Sequence, residues 1–215
     1  MLRKDLELAL STKGERAATK SLKEHPEVVV YKFCMSGGHS KYVLNEFPLG
    51  SRYRADFVIP FSYSGVWEVH FVELENTDDT VITKEGKPSQ RLNSAISQIN
   101  DWSDYIERNR VSVQKDLSDW CMKKDLLKWH QNEHPPSNLT SDYLHDPETY
   151  VDFRFHIIIG RRDNISKEKR RKMNQYSRNT IIKVGTYDCF IDIATNYDRH
   201  YRNPEESVIL TETHD

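Results

Sequence analysis

Three acids in the first half of the chain have the types and spacing that suit metal chemistry. Asp56 sits inside the apolar run 53–60, and Glu73 and Glu75 close the run 66–75. A carboxylate in such a run is costly unless a cation or a set of donors compensates it. Both runs are rich in β-branched and aromatic residues and read as strands, separated by Ser62-Tyr63-Ser64-Gly65. With Ser64-Gly65 as the two-residue turn of a hairpin, position 56 faces 73 and position 54 faces 75. Opposed residues share one face, with Cβ atoms about 4.5–5.5 Å apart. Asp56 and Glu73 then project side by side, Glu75 shares their face, and Leu74 takes the other. Two carboxylates so placed repel, and a divalent cation relieves them; hard oxygen donors with open water positions suit Mg²⁺, with Mn²⁺ as a substitute. A metal held there orients and activates water and neutralises charge developing on a phosphate. The same residues are also compatible with plain ion pairs at a sheet margin, and Arg54 opposite Glu75 is such a pair. A longer turn or a bulge would shift the whole register.

The positioning elements follow from the pattern on either side. Residues 2–23 are rich in helix formers, and a second helical half, 14–24, stops at His25-Pro26. The run 28–34 predicts a strand. The polar stretch 76–88 predicts a loop, and helical spacing of Leu92, Ala95, Ile96, Ile99, Trp102 and Ile106 predicts a helix over 89–109. Gln98 lies roughly 90° off that apolar stripe, where an amide can reach the end of the sheet. Further helix is expected at 111–130 and a Pro/Asn/Ser-rich connector at 131–146. Strands at 153–160 and 180–186 and helices at 166–177 and 188–196 complete the order. The whole predicts one α/β domain over 1–215, a mixed central sheet flanked by helices, with a helical insertion at about 111–150.

Composition narrows the setting. The 215 residues are 37 % hydrophobic and 30 % charged, with 31 Lys and Arg against 33 Asp and Glu. A chain of this size buries enough surface to fold without a disulfide or structural zinc. Its three cysteines, Cys34, Cys121 and Cys189, form no C-x-x-C pair, which fits a reducing cytoplasm. Charges break residues 2–10, so no signal peptide is expected, and the apolar runs are too short to span a bilayer. No phosphate-cradling Gly-rich loop is present, so no nucleotide cofactor is expected. A net charge of −2 leaves a nucleic-acid partner open, since a local basic face decides. Residues 161–172 hold seven basic side chains against two acidic ones. Arg161, Arg162, Arg170 and Arg171 among them are candidates for phosphate contacts, which position a duplex without reading its sequence. A solvated helix face has the same composition. Trp120–Trp129 reads either as a packing stripe or as aromatics for stacking, and His130 and His134 read as a helix end.

The run Arg54-Ala55-Asp56-Phe57-Val58, then Val72-Glu73-Leu74-Glu75, then Leu92-Asn93-Ser94-Ala95-Ile96-Ser97-Gln98-Ile99-Asn100-Asp101-Trp102, resembles the nuclease domain of the Shedu anti-phage defence family. Ile158-Ile159-Gly160-Arg161 and Thr186-Tyr187-Asp188 also fit, and the resemblance covers about residues 15–194. It implies a PD-(D/E)xK (restriction-endonuclease-like) core and a Mg²⁺-dependent endodeoxyribonuclease in anti-phage defence. Double-stranded DNA is the implied partner and a homo-oligomer the implied assembly. It places Asp56 and Glu73 as metal ligands, with the Leu74 carbonyl beside them. Glu15, on an early helix, matches a position where related nucleases carry a further acid. Glu75 and Gln98 complete the catalytic set. The family pattern has lysine where this chain has Glu75. Three readings follow: Glu75 adds a metal ligand; the positive charge comes from Arg54, Lys84 or Lys87; or the domain binds DNA or a partner without cutting.

Overall fold

A computed structural model of the chain describes residues 2–12, 14–34, 39–63, 65–123, 144–178 and 180–200. Helices α1 (Leu2–Ser11), α2 (Arg16–Glu24) and α3 (Pro26–Phe33) precede strands β1 (His39–Lys41), β2 (Leu44–Leu49), β3 (Tyr53–Tyr63) and β4 (Val66–Leu74). Helices α4 (Gln90–Arg108) and α5 (Arg110–Met122) then lead to β5 (Val151–Ile158), α6 (Lys167–Arg178), β6 (Ile182–Gly185) and α7 (Asp188–His200).

The β3–β4 hairpin has the register that the sequence predicts. Its antiparallel pairs run from Tyr63 opposite Val66 to Phe57 opposite Val72, which makes Asp56 and Glu73 the next residues out. Gly65 turns at φ 81°, a left-handed conformation that glycine adopts without a Cβ clash. On the other side, β4 pairs with β5 and β5 with β6, both in parallel, while β1 and β2 share the outer edge of β3. The sheet is therefore mixed. Parallel strands need covered crossovers, and both faces are in fact covered. Trp67, Val69 and Phe71 of β4 pack with the stripe of α4 and with Val113, Leu117 and Cys121 of α5. Val72 and Leu74 face the opposite layer, built from α1, α2, α3 and α7.

Helix α4 starts where Ser89 caps it, its hydroxyl accepting the Leu92 amide at 3.1 Å. All six expected stripe residues are buried. Among the described residues no helix is long and apolar enough to cross a membrane.

The run 28–34, expected as a strand, is helical. Pro26 occupies the first turn of α3, where its missing N–H costs nothing. Val28, Val29 and Val30 are all fully buried, enclosed with Phe57, Ile59 and Phe61 of the sheet and Phe190 of α7. Burial on most of the helix circumference overrides the strand preference of consecutive valines. Strands β1 and β2 were not anticipated. Trp120 packs its ring 5.3 Å from that of Phe47, a core role. Leu126, Leu127, Trp129, His130 and His134 lie outside the described residues.

A polar chain crosses the helical layer's side of the sheet. His70 Nδ1 lies 2.7 Å from His156 Nε2, and His70 Nε2 lies 2.7 Å from Glu68 Oε1. With the carboxylate accepting, His70 donates from Nε2 and accepts at Nδ1 from His156 Nε2, so the His70 ring is neutral. Phe33 covers both rings, and Arg154 pairs with the second Glu68 oxygen at 2.8 Å. Burial drives the His70 pKa down to about 3 and that of His156 well below its usual range, with Arg154 and Lys32 adding to both. Burial raises that of Glu68. A depressed imidazole pKa means that the unfolded chain binds more protons below about pH 6.5, so stability is lost as pH falls, by up to ~1.4 kcal/mol per pH unit per ring. Glu68 acts in the opposite sense, and its contribution falls away as pH rises through its raised pKa. The carboxylates act alike in both chains, so from pH 7 to 5 the urea midpoint of His156→Gln should rise relative to that of the native chain. A constant gap between the two midpoints would remove the imidazoles from the account.

Candidate metal and nucleic-acid site

The site lies where the β3–β4 pairing ends. Glu73 shares a face with Phe71, which packs in the α4 layer, whereas Asp56 stands where the alternation of β3 slips: Ala55 and Val58 both pack in the α4 layer and Phe57 in the opposite one. Past the last ladder pair, Asp56 Oδ2 accepts the Leu74 amide at 2.7 Å and so bridges the strand ends with its side chain. Glu73 Oε1 accepts from Gln98 Nε2 at 2.9 Å. Glu75, 4 % exposed, is held by the Arg91 guanidinium through Nε, which also lies 3.7 Å from Asp79. The Glu75 backbone is fixed from both directions: its amide donates to Ile158 O at 2.8 Å, and its carbonyl accepts the buried Tyr187 hydroxyl at 2.7 Å.

Arg91 was missed in the sequence, although a signal was available. Positions 91 and 98 are two helical turns apart and share a face. Two turns advance about 10.5 Å, whereas Glu73 and Glu75 are separated by about 6.7 Å of strand. The long Arg and Gln side chains converge across that difference.

The electrostatics are those of a crowded acidic site. Burial raises the pKa of Glu73, and the charges of Asp56, Glu75 and Glu15 raise it further, against the Gln98 amide. Burial also raises that of Asp56, with Glu15 and Glu46 adding to it and the Leu74 amide and Lys23 opposing. Glu15, at the start of α2, and Glu75 are both raised by burial and eased by Arg91. Four carboxylates thus sit within one another's field with less positive charge than they require. As the side chains stand, no three His, Cys, Asp or Glu among the described residues are grouped as a ready metal-holding set. Among the described residues, Asp56 and Glu73 each spend one oxygen on a hydrogen bond and keep the other.

The expected cations fall into two groups. Arg54 does not meet Glu75. The β3–β4 ladder has already ended there, β3 pairs with β2 instead, and Arg54 turns to Glu46 at 3.4 Å. Glu46 adopts φ 54°, the left-handed region, between the Asn45–Phe57 and Phe47–Ala55 pairs, and it also holds Lys23. Arg161 and Arg162 are bound into the fold. Arg161 pairs with Asp188 at 3.1 Å and reaches Leu10 O at 3.3 Å, and Arg162 pairs with Asp192. Lys84 and Lys87 are exposed in the loop closed by the Ile82–Pro88 bridge, and Arg170 and Arg171 are exposed on α6. Loop and helix touch: Lys172 Nζ fills the space where a Cβ on Gly86 would lie.

A search of the curated proteins finds no match to the chain. The family model described as Shedu protein SduA, C-terminal, matches residues 12–191, a span that contains every strand, Glu15, Asp56, Glu73, Glu75, Arg91 and Gln98. The chain belongs to that Shedu SduA C-terminal family.

Proposed function

We propose that the chain is a metal-dependent DNA endonuclease that hydrolyses phosphodiester bonds in anti-phage defence, on a PD-(D/E)xK-type core. The observation that carries this reading is the pair Asp56 and Glu73 at the ends of adjacent strands, with both proton affinities raised by burial and that of Glu73 raised further by the Asp56 charge. Hard carboxylate oxygens under mutual repulsion fit a divalent cation, and each acid keeps one oxygen outside its hydrogen bond. Asp56 and Glu73 would hold Mg²⁺ or Mn²⁺, with Glu15 in their field. When bound, the ion lowers the pKa of water and offsets negative charge on the phosphate. The protein's own contribution is orientation: the Leu74 amide fixes Asp56, and the Gln98 amide fixes Glu73. Lys84, Lys87, Arg170 and Arg171 are exposed for duplex phosphates. Arg161 and Arg162 instead brace α7 and α1.

A second reading is a DNA-binding or assembly module that does not cut. It is favoured by Glu75 in the lysine position and by the lack of a ready three-ligand group among the described residues.

Incubation with linear and supercoiled duplex DNA plus Mg²⁺ or Mn²⁺ separates the two. Cutting should appear in the native chain and fall by at least about 100-fold in Asp56→Asn, which keeps an acceptor for the Leu74 amide. Removing one of the repelling charges should leave the metal-free melting temperature unchanged or a few degrees higher. Binding without cutting under every metal would favour the second reading. Gln98→Leu deletes a hydrogen bond to a carboxylate, worth about 1.5–3 kcal/mol. Cutting by that variant should drop at least about tenfold, and full activity would remove Gln98 from the site.

A further inference from the structure

We propose that Arg91 is the substrate-phosphate ligand of this site, the cation standing in for the absent motif lysine, and that Glu75 is its anchor and not a metal ligand. The proposal rests on the nuclease reading above and assigns the charge that the strand lacks. Glu75 is the second residue after Glu73, the place where the family pattern puts lysine. Its carboxylate is 6 % exposed, whereas the Arg91 side chain bound to it is 53 % exposed. The anion is thus inside and the cation outside. Both contacts of Arg91 with acids, Glu75 and Asp79, are made through Nε. Among the described residues neither of its terminal amines makes a hydrogen bond. A guanidinium held by one edge presents a planar pair of donors that matches two phosphate oxygens.

The anchor is itself rigid. Glu75 is fixed at its amide by Ile158 and at its carbonyl by Tyr187. Asp79 is held because Gly160 donates to Asn76 O at 3.0 Å and lies so close that a Cβ there would come within 2.4 Å of Asp79 O. Arg91 also eases the raised pKa of Glu15, which places its charge within the field of the acid cluster. Lys23, the other nearby cation, is committed to Glu46 on the β2 side. Arg91 stands in the first turn of α4, directly after the loop that carries Lys84 and Lys87 in sequence.

In the hydrolysis, the oxygen of water forms the new bond to phosphorus and the bond to the leaving sugar oxygen breaks. One proton passes to solvent and another reaches the leaving oxygen. Arg91 exchanges neither proton nor electrons; it binds non-bridging oxygens whose charge grows in the transition state.

Three measurements on the full chain test this. Without metal, duplex binding of Arg91→Ala should weaken several-fold, and its salt slope should fall by about one phosphate contact. Mn²⁺ affinity measured alone by calorimetry should fall no more than a few-fold in Glu75→Gln, the effect of a neighbouring charge and not of a lost ligand. With Mn²⁺ and DNA, Arg91→Ala should cut at least 100-fold more slowly, Arg91→Lys should retain part of the rate, and the double variant Glu75→Lys/Arg91→Ala should recover at least a tenth of it. The double variant also removes the buried carboxylate that Arg91→Ala alone would strand. A native salt slope in Arg91→Ala, or Mn²⁺ binding lost in Glu75→Gln, overturns the proposal even if the chain never cuts DNA. Native cutting with no rescue in the double variant overturns it while leaving the nuclease reading in place.

Discussion

Like-charge crowding at the end of the β3–β4 hairpin is the constraint around which this molecule is arranged. Glu15, Asp56, Glu73 and Glu75 share one another's field under partial or complete burial, and burial raises the proton affinity of each. Isolated carboxylates would avoid such a place. They stay because the backbone around them is over-determined: the hairpin ladder on one side, the parallel β5 on the other, and Tyr187 closing on the Glu75 carbonyl. The folding energy comes from the two apolar layers on either face of the sheet, and part of it is held as repulsion at the strand ends.

Helix α4 relieves that repulsion selectively. Its buried stripe from Leu92 to Ile106 sets its rotation, and that rotation decides which polar residues meet the strand ends. Gln98 then reaches Glu73 and Arg91 reaches Glu75. A neutral amide meets the acid proposed to hold metal, and a full positive charge meets the acid next to it. That asymmetry leaves Glu73 the more strained of the two, since a neutral donor offsets less charge than a guanidinium does.

Charge elsewhere sorts by partner and not by sequence density. In the basic run 161–172, Arg161 and Arg162 pair with Asp188 and Asp192 and so tie the end of β5 to α7. The exposed cations of the run, Lys167, Arg170 and Arg171, all lie on α6, which touches the loop carrying Lys84 and Lys87. The exposed basic surface is therefore smaller than the sequence suggests. The polar chain Glu68–His70–His156 sits at the opposite end of β4, where it satisfies buried donors and acceptors within the sheet.

The hairpin register was legible in the sequence because a side-chain period of two and a Gly-containing turn together admit few pairings. The α4 stripe was legible because six apolar residues repeat at helical spacing. With these came Asp56 and Glu73 at neighbouring strand ends, the reach of Gln98 to Glu73, and the family. Other features depended on partners distant in sequence. The three valines of α3 carry a strand preference that only their enclosure between the sheet and α7 reverses. Arg54 faces Glu75 in an ideal ladder, but the ladder ends three residues earlier and β2 takes its edge. Arg91 became visible as a site residue only once the helix lay across the strands. Local pattern determined which side chains share a face; the packing of α4, β2 and α7 on the sheet decided which charges meet, because those contacts join segments that no local spacing relates.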